Sequence, residues 1–286
     1  MLMIRKVVVT TLLMVFILNG MVTTKDGNAK ALVPQIKGEF GVAIDVNTGE
    51  ILYNKNVNSK ANPASMTKVL TAIILDEQMK DGEMLTASLN AANQECVCFG
   101  LAVSERISKE DAMKALLLLS ANDVAVAIAE NVAGSEEKFA KLMNQKVKKL
   151  RLKNTHFVTA SGLTDPEHYT TPYDMALIAK EALKHPKVLE DMSTQAAFIK
   201  TSIQEKNIIN RNIKRCRTNV IASKTGYTEA AQYTLVQYLM KDNKEIICVV
   251  MKSDEKSRFN DIQTMANYSF AHMKKPEITP EVIEWK

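Results

Sequence analysis

The sequence is poor in the residues that hold metals. It has four cysteines, Cys96, Cys98, Cys216 and Cys248, in 286 residues, and four histidines, at positions 156, 168, 185 and 272. Cys96-Val97-Cys98 has no second close pair and no histidine cluster to complete it, so no metal site is expected. Cys248 lies inside the apolar run Ile246–Val250 and reads as a core residue. Excess charge is also lacking. The formal net charge is +5, and residues 1–31 carry +3 of it (Arg5, Lys6, Lys25 and Lys30 against Asp26), which leaves +2 for the remainder. With no basic stripe interleaved with aromatics, nucleic acid is excluded as a partner. No repeat of 20–50 residues is visible. No apolar run reaches the ~20 residues that span a bilayer.

What is present begins with an export signal. Arg5 and Lys6 precede the apolar stretch Val7–Leu18, broken by Thr10 and Thr11, and Ala29-Lys30-Ala31 offers a small-x-small cleavage site. Residues 1–31 are therefore expected to be a signal peptide and the mature chain to be secreted. Membrane contact is expected only if that leader stays uncut, and no cysteine follows it to carry a lipid.

The rest divides into strands at both ends and helices in the middle. Val42, Ile44 and Val46 alternate, Asn47-Thr48-Gly49 turns, and Ile51 and Tyr53 alternate again, which predicts a hairpin over 38–56. A second hairpin is predicted over Ala231–Met240 and Glu245–Met251, with a strand at Ala197–Thr201. Between them Ser108 to Asp111 forms a capping box opening one helix, which breaks at Ser120-Ala121-Asn122 before another that Gly134 closes. Helices are predicted over 136–150, 173–184 and 257–273, and 159–171 reads as a surface loop. Because the strands come as hairpins, the pattern predicts an α+β chain with one sheet built from both ends and covered by helices, not βαβ units.

Chemistry concentrates where Pro63-Ala64-Ser65-Met66-Thr67-Lys68 runs into an apolar period at Met66, Val69, Leu70, Ile73 and Ile74. Ser65 and Lys68 lie one helical turn apart, so a hydroxyl can meet an amine. Ser135-Glu136-Glu137-Lys138 and Ser253-Asp254-Glu255-Lys256 share the spacing, but both are charge-rich and read as a cap and a solvated turn. Lys224-Thr225-Gly226 precedes the late hairpin. Its glycine allows close approach to the strand, and its lysine and threonine suit a carboxylate.

Ser65-Met66-Thr67-Lys68, Ser120-Ala121-Asn122 and Lys224-Thr225-Gly226, in that order, reproduce the element set of penicillin-binding proteins and serine β-lactamases. With Asn62-Pro63-Ala64, Asp123-Val124-Ala125, Ser161-Gly162-Leu163 and Tyr227-Thr228, the chain resembles the low-molecular-mass D-alanyl-D-alanine carboxypeptidases from about Gly38 to Phe270. The resemblance implies an antiparallel five-stranded sheet flanked by helices plus a mainly helical lobe, with the catalytic domain over 32–275 and a tail at 276–286. It also implies a peptidoglycan stem peptide ending in D-Ala-D-Ala as substrate, acylation by β-lactam antibiotics, action outside the membrane, and no cofactor. Ser65 would be the nucleophile, Lys68 its base, with its pKa lowered by burial or by Lys224, and Ser120 a proton shuttle. Asn122 would hold the substrate amide, and Lys224 and Thr225 the terminal carboxylate. Ser65 and Tyr227 would supply oxyanion N–H groups beside Gly226, and Arg258 is a further carboxylate candidate.

Two departures stand out. Ala230-Ala231-Gln232 replaces the Ala-Gly usual after the Lys-Thr-Gly strand, and Cys96-Val97-Cys98-Phe99 stands where small polar residues are common. The C-terminal β-domain and amphipathic anchor of many relatives are expected to be absent. Two competing readings remain. One is a class A-like β-lactamase, for which Glu167 would activate water although Thr170-Thr171 stand where Leu-Asn is expected. The other is a catalytically weakened wall-binding homologue.

Overall fold

The structure, a computed structural model, describes residues 32–95, 97–213 and 218–273. The leader at 1–31, Cys96, Cys216 and the tail from 276 lie outside the described residues.

The chain opens on a hairpin, β1 (Phe40–Asp45) and β2 (Ile51–Lys55), closed by the turn that Gly49 completes at φ +76°. A single 3₁₀ turn, Ala64–Thr67, leads into α1 (Lys68–Gln78). The period at Met66, Val69, Leu70, Ile73 and Ile74 implies one apolar face, yet every residue from Lys68 to Leu75 is buried. α1 is thus the axis of the helical lobe rather than a surface helix, and small or polar Thr71 and Ala72 are tolerated because Thr71 donates to the Ala160 carbonyl at 2.7 Å.

Next come β3 (Met84–Thr86), the one-turn α2 (Leu89–Ala92), β4 (Arg106–Ser108), which pairs with β3, and α3 (Lys109–Lys114). Ser108 caps α3 by accepting from the Asp111 N–H. α3 widens into a π turn, Ala115–Leu119, that ends on Ser120 in the left-handed region. α4 (Asn122–Ala133) stops at Gly134, and α5 (Glu136–Lys149) starts from Ser135, whose hydroxyl accepts from Lys138 N as its capping role predicts.

α6 (Pro172–Ala182) and α7 (Pro186–Ser193) each begin with proline in the first turn, where the missing N–H costs nothing. α7 was not predicted from the pattern. β5 (Ala196–Lys200) matches the expected strand, and its partner β6 (Glu205–Ile209) is an addition. β7 (Val220–Thr228), β8 (Gln232–Lys241) and β9 (Lys244–Ser253) follow, and α8 (Ser257–His272) closes the described chain. The β8–β9 turn is Asp242-Asn243, both at positive φ, which matches the twist of the flanking strands.

The main sheet has five strands in the order β2-β1-β9-β8-β7, all antiparallel, so the two ends of the chain meet at β1 and β9. Alternation assigns its faces. Ala43, Ile246, Cys248 and Val250 pack with Phe259, Ile262, Met265, Ala266 and Phe270 of α8. Val42, Ile44, Ile247, Val249 and Met251 turn the other way into the helical lobe. β9 is covered on both faces, which is why its sequence is an unbroken apolar run. β7 is an edge strand, and Gly226 with its cross-strand partner Thr234 presents the face that meets the Ser65 turn. No helix of the described residues is long and apolar enough to cross a membrane.

Candidate active site

The Ser65 turn is held by its neighbours rather than by its own propensity. Ala64 sits at φ +49°, an uncommon conformation for a residue with a side chain. Asn62 Oδ1 accepts from Ala64 N at 2.8 Å, and Thr234 Oγ1 of β8 donates to the Pro63 carbonyl at 3.0 Å. β7 comes close at Gly226, where a Cβ would lie 2.9 Å from both Ser65 N and the Pro63 oxygen. Glycine there lets the strand backbone abut the serine turn itself.

Lys68, fully buried, places Nζ 3.0 Å from Ser65 Oγ, 2.7 Å from Asn122 Oδ1 and 2.6 Å from the Ser161 carbonyl oxygen. Burial holds its pKa well below the usual lysine value, and the Lys224 charge pushes it the same way. A neutral amine can donate to Asn122 and Ser161 and offer its lone pair to the Ser65 hydroxyl; an ammonium can donate to all three. The same three oxygens therefore serve both protonation states, and a proton can arrive without rearrangement.

Ser120 adopts φ +67°, ψ +34° at the end of the π turn, a conformation costing about 1 kcal/mol or more for a non-glycine residue. That geometry aims its hydroxyl at β7, where Lys224 Nζ donates to Ser120 Oγ at 2.9 Å. Lys224 is also fully buried, and desolvation lowers its pKa to about 7. Thr225 uses its single hydroxyl proton on Asn212 Oδ1 at 2.6 Å, so a bound carboxylate receives that proton only if the hydroxyl turns away.

Ser65, Ser120, Thr225, Gly226, Tyr227 and Arg258 share one cleft of about 190 Å³, with Lys68, Asn122 and Lys224 buried around it. Arg258 is not a solvated charge. It is 9% exposed, and its guanidinium lies 4.6 Å from the Tyr233 ring centre and 4.9 Å from that of Phe259. Asn122 lies beside Lys68 rather than in the cleft lining, with its Nδ2 donating to the Glu95 carbonyl at 3.2 Å. Glu167 is exposed on its loop and does not line the cleft.

Sequence reasoning missed four contributors. Arg211 lines the cleft, giving it a second guanidinium and no carboxylate, so the lining favours an anionic ligand. Asn212 donates to the Leu117 carbonyl at 2.8 Å and accepts from Thr225, tying the π turn to β7. The Asp123 carboxylate, 1% exposed, accepts from the N–H groups of Phe99, Gly100 and Leu101 at 2.7–3.0 Å and so fixes the segment carrying Val97. That segment includes one of the two departures, and Val97 accepts from Asn122 N at 2.8 Å.

The fourth is the 159–171 loop. It was expected at the surface, but Ala160, Ser161, Gly162, His168, Thr170 and Thr171 are buried, and the exposed residues are confined to its tip. His168 Nδ1 accepts from Val158 N and Thr159 N, which puts the ring proton on Nε2, 2.9 Å from Thr67 Oγ1. Burial lowers the His168 pKa to about 4. The loop is polar because it lies against the site, not because it faces water.

Glu77, Glu181 and His185 place three donor atoms within 4.8 Å of one another, the one such group among the described residues. Lys146 Nζ occupies it, 2.6 Å from Glu77 and 2.9 Å from Glu181, so it is an ion network.

Comparison with known proteins gives a consistent picture. A profile of the D-alanyl-D-alanine carboxypeptidase family matches residues 27–255. The D-alanyl-D-alanine carboxypeptidase DacF of Bacillus subtilis is 34% identical over 243 residues, 82% of this chain and 62% of the relative. DacA of Escherichia coli is 31% identical over 77% of this chain and 57% of its own length. This chain thus spans less than two thirds of either relative. Among solved structures, a D-alanyl-D-alanine carboxypeptidase from Mycobacterium tuberculosis superposes with TM-score 0.80 at 25% identity, covering 86% of this chain and 94% of that one. A mutant of the Streptomyces K15 DD-transpeptidase superposes with TM-score 0.79 at 26% identity, covering 83% and 99%.

Proposed function

The chain belongs to the D-alanyl-D-alanine carboxypeptidase family, and on that premise we propose that it is a serine carboxypeptidase that removes the terminal D-alanine from peptidoglycan stem peptides. Ser65 Oγ attacks the carbonyl between the two D-alanines, and Lys68 takes its proton. The N–H groups of Ser65 and Tyr227 receive the oxyanion, a contribution of roughly 3–4 kcal/mol per donor in comparable sites. Lys224 donates to Ser120 Oγ, which leaves the Ser120 proton available to the departing nitrogen. Lys224, Arg211 and Arg258 form the cationic surroundings of the terminal carboxylate, and Thr225 joins them by turning from Asn212. Water then releases the acyl-enzyme, and a β-lactam acylates the same serine. The 1–31 leader supports action outside the cytoplasmic membrane. Asn122 acts first on Lys68, whose amine it holds toward Ser65.

The observation that carries this reading is the buried Lys68 amine 3.0 Å from Ser65 Oγ, with its proton affinity lowered by its surroundings. The test is incubation of the mature protein and Ser65→Ala with a fluorescent penicillin, alongside D-alanine release from diacetyl-Lys-D-Ala-D-Ala. Labelling of the native protein alone, with D-alanine release, is expected. Labelling that survives the substitution rejects Ser65 as nucleophile.

A further inference from the structure

A second groove, of about 350 Å³, continues the cleft past Tyr227. It is lined by Tyr227, Glu229, Gln232, Tyr233, Ser253 and Asp254. Its shared wall is aromatic. Tyr227 is 54% exposed, and its ring packs on Tyr233 at 4.4 Å between centres, with Arg258 behind Tyr233. Its charge is opposite to that of the cleft: two carboxylates and no cation in the lining, against Arg211 and Arg258 next door. The two carboxylates differ. Asp254 is occupied, since Oδ1 accepts from Lys256 N and Ser257 N and Oδ2 lies 3.9 Å from Lys37. Glu229 is exposed at the β7–β8 turn and makes no ion pair among the described residues.

β7 fixes which part of a substrate reaches this groove. An extended peptide laid along a free strand edge advances about 3.3 Å per residue. With its terminal carboxylate at Lys224–Thr225 and its reacting carbonyl at Gly226–Tyr227, its chain runs antiparallel to β7. The residue preceding the two D-alanines lies one strand position, about 3.3 Å, beyond the residue whose carbonyl reacts, beside Thr228 at the end of β7, from where a long side chain reaches on to Glu229.

We infer that this groove is a specificity subsite for a free side-chain ammonium on the residue that precedes D-Ala-D-Ala, with Glu229 as counter-ion and the Tyr227 ring as the face the cation rests against. The inference rests on the carboxypeptidase reading and adds to it the substrate class: stem peptides whose diamino residue has not been acylated. An uncrosslinked stem is bound better than one whose amine is already in an amide.

The test compares Nα-acetyl-Lys-D-Ala-D-Ala with its Nα,Nε-diacetyl counterpart. The amine substrate is expected to have a kcat/KM about five to ten times higher at low salt, the combined effect of one exposed ion pair and one cation–π contact. In Glu229→Gln the ratio falls toward one, and in the native protein it falls as salt is raised. Equal kcat/KM for the two substrates, or a ratio retained in Glu229→Gln, overturns the subsite while leaving the carboxypeptidase reading in place. Release of D-alanine from neither substrate overturns both.

Discussion

Replacing Gly162 with alanine tests whether the 159–171 loop holds the nucleophile in place. Gly162 has φ +83°, and a Cβ there would collide with the Ala64 carbonyl, 2.6 Å from its carbon, and reach 2.8 Å from Thr67 Oγ1. Both neighbours belong to the Ser65 turn, and neither is the loose end of a flexible side chain. The conformation itself costs an alanine about 1 kcal/mol, and overpacking at a buried site adds about 1–3 kcal/mol. Gly82 supplies the control, because its φ is +78° and a Cβ there meets nothing within 4 Å. Gly82→Ala should therefore lose about 1 kcal/mol, and Gly162→Ala about 2–4 kcal/mol, in urea unfolding. The variants should differ more sharply in chemistry. A displacement near 1 Å at the reacting hydroxyl costs on the order of a hundredfold in rate, so penicillin acylation should slow about that much in Gly162→Ala and be unchanged in Gly82→Ala. If the two variants lose the same stability and acylate at the native rate, the loop is not a clamp and the account of the Ser65 turn fails.

His168 binds its proton at about pH 4 when folded against an ordinary value near 6.5, so the unfolded chain protonates first; stability should fall by about 3 kcal/mol as pH drops from 6.5 through 4, and that component should be missing in urea titrations of His168→Gln. Gln232 sits at φ +53°, so Gln232→Gly should stabilise by about 1 kcal/mol, read as a melting temperature some 2–4 °C higher. Asp123→Asn loses a carboxylate that four backbone N–H groups share, and should cost about 3 kcal/mol and slow acylation by loosening the Val97 segment, as measured by unfolding and labelling rate.

The parts of the fold that were legible in the sequence are those in which local pattern and tertiary role agree. Alternating Val42 and Ile44, capping Ser108 and Ser135, and terminal Gly134 each announce the structure they form. The rest depends on partners distant in sequence. The period of α1 suggests one buried face, but helices on its other sides bury it all round. The 159–171 loop is polar because its imidazole and backbone carbonyls bond to the Ser65 turn and to α1 while its hydroxyls close its own turns and cap α6, a cause that composition cannot distinguish from solvent exposure. β6 is short and largely polar and has a single partner strand, so it carries little alternation. For the candidate site, Ser65, Lys68, Ser120 and Lys224 are readable as short words. Arg211, Asn212 and Asp123 are not, because their roles lie in segments they meet only in the folded chain: the cleft for Arg211, Leu117 and Thr225 for Asn212, and residues 99–101 for Asp123. The Ala230-Ala231-Gln232 departure has a local meaning: Gln232 occupies a left-handed position that glycine would fill without strain.

The burial of α1 on every side also sets how the molecule can come apart. Amides of Val69 to Leu75 can exchange with deuterated solvent only when the whole lobe opens, since no fraying edge reaches them. The serine lies one turn from that slowest-exchanging segment. The ability to be acylated should thus survive partial loosening elsewhere and vanish together with the last protected protons.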